Sequence, residues 1–197
     1  MFYSITNCQE GLRGVSFGNL LIKQVAEDLG SEFPRIKTFA TLSPIPGFRA
    51  WLSREASVKD GDPRRERLGT LLAMLDLPDW TSDKGIAAEL QRELSRLCAQ
   101  YLIHAKSREE PLDSVARFHL GNGARLERLN WLGDTSPTGL RRSAGLMVNY
   151  VYDLEDLERN HEAYARNHRV IAAKRLELLA RDSMLLRAPE KPPARRA

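Results

Sequence analysis

Apolar positions along the first part of the chain switch between a period of two and a period near that of a helix. Phe2-Tyr3-Ser4-Ile5-Thr6 is aromatic and β-branched, which predicts a strand. Leu21, Ile22, Val25 and Leu29 fall at helical spacing and predict a helix over 20–29 that stops at Gly30. In 36–42, Ile36, Thr38, Ala40 and Leu42 share one side of a second predicted strand. A helix joins the two strands, so a parallel β-α-β unit is expected. Pro44 and Pro46 cannot donate to a ladder, so pairing is expected to end there, after Ser43.

From Phe48 to about Ile103 the pattern is helical. Asp62-Pro63 supplies an N-cap and a first-turn proline ahead of Leu68, Leu71, Leu72 and Leu75. Ser82 or Asp83 caps a longer helix bearing Ile86, Leu90, Leu94, Leu97 and Tyr101. These helices read as an insertion over about 48–106, stacked beside the sheet. Asp113 is the expected cap of a short helix over 114–120, which Gly121-Asn122-Gly123 ends. A strand over 125–132, a loop over 133–139 and a further, antiparallel strand over 145–153 follow. One helix is expected from about Asn160 to Leu179, with Val170, Ile171, Leu178 and Leu179 in its apolar stripe. The alternation predicts an α/β (α+β) fold with a mixed sheet flanked by helices, filling 1–182 as one domain.

Composition narrows the function classes. The chain has 197 residues with 42% hydrophobic and 28% charged, ordinary values for a globular protein. No apolar run approaches a transmembrane span, and no signal-peptide pattern opens the chain. The net charge is +4, but Arg187, Lys191, Arg195 and Arg196 against Glu190 put most of it in the last residues. A basic, proline-rich, disordered tail over 183–197 on a nearly neutral body argues against nucleic acid. Cys8 and Cys98 lack metal-type spacing, and a reduced, cytoplasmic setting is expected. His104 reads as a surface or boundary residue. His161 and His168 have no third ligand in view, so no metal is expected.

Three places carry candidate chemistry. Gln9–Asn19 holds three glycines and Arg13 ahead of a helix, the makings of a pyrophosphate seat on a helix N-terminus. The same residues also suit a glycine-rich turn with no ligand. Ser43 sits at the carboxyl end of a strand, where open α/β sheets bind ligands, although a serine before proline is often only a turn residue. His119, at the end of a short helix, is either catalytic or a buried structural histidine.

The order of elements resembles the acyl-CoA-binding half of the GNAT N-acetyltransferase fold, and Arg13-Gly14-Val15-Ser16-Phe17-Gly18 has a shape related to that superfamily's pyrophosphate loop. A closer resemblance, up to about residue 180, is to the carboxyl-terminal part of the malonyl-CoA decarboxylase catalytic domain. It is carried by Phe2-Tyr3-Ser4-Ile5, Gly11-Leu12-Arg13-Gly14-Val15, Leu42-Ser43-Pro44-Ile45-Pro46-Gly47-Phe48, Phe118-His119-Leu120-Gly121-Asn122-Gly123-Ala124, Asn130-Trp131 and Gly145-Leu146-Met147-Val148-Asn149-Tyr150. The resemblance implies a catalytic pair at Ser43 and His119. It also implies a CoA loop over Arg13, Gly14, Val15, Ser16, Phe17, Gly18 and Asn19, with no cofactor besides the CoA of the substrate. His119, titrating near neutrality, would protonate the enolate left by CO2, and Ser43 would orient the carboxylate or relay a proton. Asn130, Asn149 and Tyr152 are further pocket candidates, while Tyr150 is expected to pack. Family members carry a helical domain and further strands before Phe-Tyr-Ser-Ile. This chain therefore reads as one that starts late, with a bare sheet edge and a homo-oligomer expected. The alternatives are an acyl-CoA-dependent N-acyltransferase and an inactive CoA-binding fragment.

Overall fold

The computed structural model describes residues 17–58 and 61–183. The strand expected at 2–6, the loop residues up to Ser16, any parallel pairing with that strand, and the tail from residue 184 lie outside this range.

α1 (Phe17–Glu32) starts before its apolar period and runs through Gly30, which does not end it. Among its described side chains Ile22 and Ala26, four residues apart, are the buried contacts. β1 (Phe39–Ala40) and β2 (Ser43–Pro44) follow. α2 (Phe48–Ala56), α3 (Pro63–Leu75) and α4 (Lys84–His104) then occupy the region expected to be helical. The Asp62 carboxylate accepts from Arg64 N, and that of Asp83 from Gly85 N and Ile86 N, so both caps form at helix starts. β3 (Lys106–Ser107) and β4 (Glu110–Pro111) make a small hairpin turned at Arg108, φ +57°. Next come α5 (Ser114–Gly121), capped by Asp113, and β5 (Arg125–Asn130). α6 (Pro137–Ser143) stands where a loop was expected; Ser136 Oγ accepts from Gly139 N and Pro137 opens the turn. β6 (Met147–Tyr152), α7 (Leu157–Asn167) and α8 (Lys174–Arg181) complete the chain.

β6 is the centre of the sheet. β5 pairs antiparallel along one edge, while β1 and β2 line the other as two pieces of one interrupted strand. Between those pieces Thr41 N donates to Tyr150 O at 2.9 Å. The alternation in 36–42 is real, but its phase is opposite to the expected one. Phe39, Thr41, Ser43 and Ile45 are buried, whereas Ile36 is exposed. A slip of one residue exchanges the two faces of a strand, and pairing to β6 decided which apolar set went inside. Pairing also continues through Pro44, which faces Met147. Among the described residues β2 lies at a sheet edge, so Pro44 loses only a donor that would point away from β6.

β5 carries a bulge at Glu127: Leu126 faces Tyr150, whereas Arg128 already faces Asn149. The extra residue places Leu126 and Leu129, three apart in sequence, on the same face of the sheet.

The single helix expected over 160–179 is two helices. His168 takes φ +46° and ends α7. The next residues run beside β5, with Leu126 N donating to Ile171 O at 2.9 Å and Ala173 N donating to Leu126 O at 2.8 Å. Leu178, assigned to the apolar stripe, is 50% exposed, and Leu176 and Ala180 are the buried contacts of α8. Ser183, expected to begin the tail, is buried and donates to Gln100.

One continuous core joins the helices to the sheet. It includes Leu68, Leu90, Leu94 and Leu97 from α3 and α4 together with Leu126, Val148 and Tyr150. Phe48, Trp51 and Tyr101 pack ring against ring where α2 meets α4. Among the described residues no helix is long and apolar enough to cross a membrane.

Candidate active site

Two sequence-distant elements bring their polar side chains together on one face of β6. β2 pairs Ser43 with Val148, and the register puts the Ser43 side chain on the face that also carries Tyr150 and Tyr152. α5 lies against that face. Its first turn is fixed by the Asp113 carboxylate, which accepts from Val115 N at 3.0 Å and Ala116 N at 2.9 Å. His119 follows in the last turn, where the carbonyl end of a helix favours a polar or cationic ring. Gly123, φ +78°, then turns the chain toward β5.

Ser43 Oγ and His119 Nε2 are 3.0 Å apart, and His119 Nδ1 lies 2.7 Å from Tyr152 Oη. Ser43 Oγ donates to Thr41 Oγ1 at 2.9 Å, and Asn122 lies beside the Tyr152 hydroxyl. Two tautomers satisfy this chain. With the proton on Nδ1, the ring donates to Tyr152 and accepts from Ser43, whose hydroxyl then turns from Thr41 to the ring. With it on Nε2, the ring donates to Ser43 and accepts from Tyr152. A side-chain line that closes in both directions has the form of a proton relay. The imidazole stacks on Tyr150 at 4.4 Å between centroids and meets Tyr152 edge-on at 6.0 Å, so its plane is fixed as well as its nitrogens.

Burial removes the water that would stabilise an imidazolium. His119 is 4% exposed, and desolvation pushes its pKa down to about 4. The ring thus lies below the near-neutral range expected from the sequence, and His119 is neutral at pH 7. Burial likewise pushes the Tyr152 phenol up, so Tyr152 keeps its proton.

The shift on His119 has a consequence for stability. The unfolded ring titrates near 6.5 and the folded one near 4. Stability from burying it neutral is therefore complete above about pH 6.5 and is lost as pH falls toward 4, by about 3 kcal/mol in all. Urea unfolding at pH 7 and pH 4.5 should show this slope in the native chain and a shallower one in His119→Gln. Equal slopes would contradict a neutral buried ring.

Tyr152 joins the Ser43–His119 pair, whereas Asn130 and Asn149 do not. They lie on the opposite face of the sheet, where Asn149 Oδ1 accepts from Asn130 Nδ2 at 2.9 Å and Arg128 Nε at 3.3 Å. Asn149 Nδ2 donates to Thr41 O and so ties down the interruption between β1 and β2. Phe17, Gly18 and Asn19 form the first turn of α1, and Arg13, Gly14, Val15 and Ser16 lie outside the described residues. His104 is exposed. His161 Nδ1 bonds Gly121 O at 2.6 Å and His168 approaches Glu109, so the two have separate partners. Among the described residues no group of three or more His, Cys, Asp or Glu is placed to hold a metal ion.

Sequence reasoning missed Thr41 and Asn122, whereas Tyr150, expected to pack, does so against the His119 ring. Thr41 stands two residues before Ser43 on the same face, and the correct strand phase would have placed that face inside. Asn122 belongs to the quoted Phe-His-Leu-Gly-Asn-Gly stretch but reads there as a turn residue.

The comparisons with known proteins agree on one family. A family model described as malonyl-CoA decarboxylase C-terminal domain matches residues 1–190. Mitochondrial malonyl-CoA decarboxylase of Anser anser anser is 40% identical over 194 residues, covering 89% of this chain and 38% of that protein. The crystal structure of malonyl-CoA decarboxylase from Agrobacterium vitis is 52% identical with a TM-score of 0.85, covering 91% of this chain and 44% of that one. The corresponding Rhodopseudomonas palustris structure is 51% identical with a TM-score of 0.82, covering 90% and 41%. The chain therefore spans less than half the length of these relatives.

Proposed function

The chain belongs to the malonyl-CoA decarboxylase family, and from that premise we propose that it serves the decarboxylation of malonyl-CoA to acetyl-CoA and CO2. The observation that carries the reading is the 3.0 Å contact between Ser43 Oγ and His119 Nε2, made by residues 76 apart in sequence. Breaking the bond to the carboxylate moves its electron pair onto the thioester carbonyl. The resulting enolate then needs a donor near its oxygen and a proton at its carbon. Ser43 supplies a hydroxyl that orients the departing carboxylate. His119, held through Tyr152, supplies the proton.

A neutral ring with a pKa near 4 fits that role once substrate arrives. A carboxylate brought beside the imidazole favours the imidazolium, so the anionic substrate draws in the proton that the enolate later takes. The proton leaves with acetyl-CoA and the ring returns to neutral. In this scheme kcat falls as pH rises through the pKa of His119 in the substrate complex, which lies above the free-site value. A pH profile of kcat that is flat from pH 5 to 9 would remove His119 as the donor.

The direct test is CO2 release from malonyl-CoA with no amine present. Turnover supports the decarboxylase reading. Acyl transfer that requires an amine would replace it with an N-acyltransferase. CoA binding without any turnover would make the chain a binding fragment.

A further inference from the structure

We infer that Asp113 is a positioning residue for the Ser43–His119 pair, a buried carboxylate that ties the helix carrying His119 to the rigid arm carrying Ser43. The inference rests on the reading of that pair as the reacting site.

The carboxylate is 2% exposed and faces three elements at once. Oδ1 accepts from Val115 N and Ala116 N at the start of α5, six residues ahead of His119. Oδ2 accepts from Tyr101 Oη of α4 at 3.3 Å. Gly47 at the start of α2 sits beside the same carboxylate, where its backbone N–H favours the charged form, and a Cβ on it would lie 3.8 Å from Oδ2. Only Pro44, Ile45 and Pro46 separate Gly47 from Ser43, and two prolines leave that arm little torsional freedom. Holding Gly47 therefore holds Ser43.

The fit leaves no slack. A Cβ on Gly47 would lie 2.3 Å from Tyr101 Oη, so a side chain there would displace the hydroxyl that bonds Asp113. Capping alone would need one oxygen of an exposed aspartate, as Asp83 provides for α4. Asp113 instead uses both oxygens, is buried, and spans the two elements that must meet. A displacement of about 1 Å between reacting groups can cost about 10²-fold in rate, so an anchor common to both partners bears directly on turnover.

Asp113→Ser separates capping from positioning. Serine caps a helix nearly as well as aspartate but cannot also reach Gly47 and Tyr101. In the full chain we expect kcat for malonyl-CoA to fall about 10²-fold with KM unchanged. We also expect a displaced NMR resonance for the His119 ring. Tyr101→Phe keeps the cap and removes one ligand of Oδ2, so it should produce the same changes to a smaller degree even where Asp113→Ser folds poorly. Wild-type kcat and an unmoved His119 resonance in a folded Asp113→Ser would overturn the inference and leave Asp113 as a cap only. If the native chain does not turn over malonyl-CoA, the functional reading fails separately. The His119 resonance then decides alone: displaced in both variants it supports the tie, and unmoved it overturns it.

Discussion

His119→Ala is expected to lower kcat for malonyl-CoA decarboxylation by about 10²- to 10⁴-fold, the range of a positioned general acid, while CoA affinity stays at its native level. The ring is the middle of the line from Ser43 through Nε2 and Nδ1 to Tyr152, so alanine cuts both bonds at once. It also leaves Tyr150 without its stacking partner. Some loss of stability is expected from that cavity, and calorimetric CoA binding measured beside turnover separates the two effects. His119→Gln fills most of the volume and can bond Ser43, but it cannot deliver a proton. It should therefore recover stability and not kcat. Native turnover in either variant would end the assignment of His119 as donor.

Gly123→Ala is expected to destabilise the chain by about 2–5 kcal/mol, combining the penalty of a left-handed backbone with that of overpacking. Gly123 has φ +78°, and an added Cβ would stand 2.3 Å from the Leu157 carbonyl oxygen. Backbone cannot yield as a flexible side chain does. The same corner is fixed by Asn160 Nδ2, which donates to Gly123 O at 3.1 Å. Moving it would disturb Asn122 and, through Asn122, the Tyr152 hydroxyl. Turnover should accordingly drop even at temperatures where the variant remains folded. An unchanged urea midpoint would show that the corner relaxes without cost.

The helix caps at Asp62, Asp83 and Asp113 were legible because the signal is local: one acceptor, then an apolar period. The phase of 36–42 was not, because apolar residues stand on both faces. Ile36 and Leu42 compete with Phe39 and Ile45, and only pairing to β6 decides. The break at His168 carries neither glycine nor proline, and the segment after it is recruited by Leu126 from far away in sequence. At Ser136-Pro137 a sound N-cap signal was outweighed by the flanking Gly133 and Gly139. For the site, Ser43 and His119 came from quoted motifs and Tyr152 from strand alternation. The two asparagines fell on the wrong face because a strand read in isolation does not say which face a helix will cover. The low pKa of His119 was hidden for a related reason: the motif names the ring but not the two tyrosines that exclude water from it.

The extra residue at Glu127 acts as a phase shifter in the middle of a short strand. Ahead of it the outward side chains are in one frame, and beyond it they are in the other. A strand lacking that residue would present Arg128 to Asn130 one position out of step with β6. Any graft of this strand onto another scaffold must carry the insertion with it, or the Arg128 and Asn130 side chains that bond Asn149 will face the imidazole.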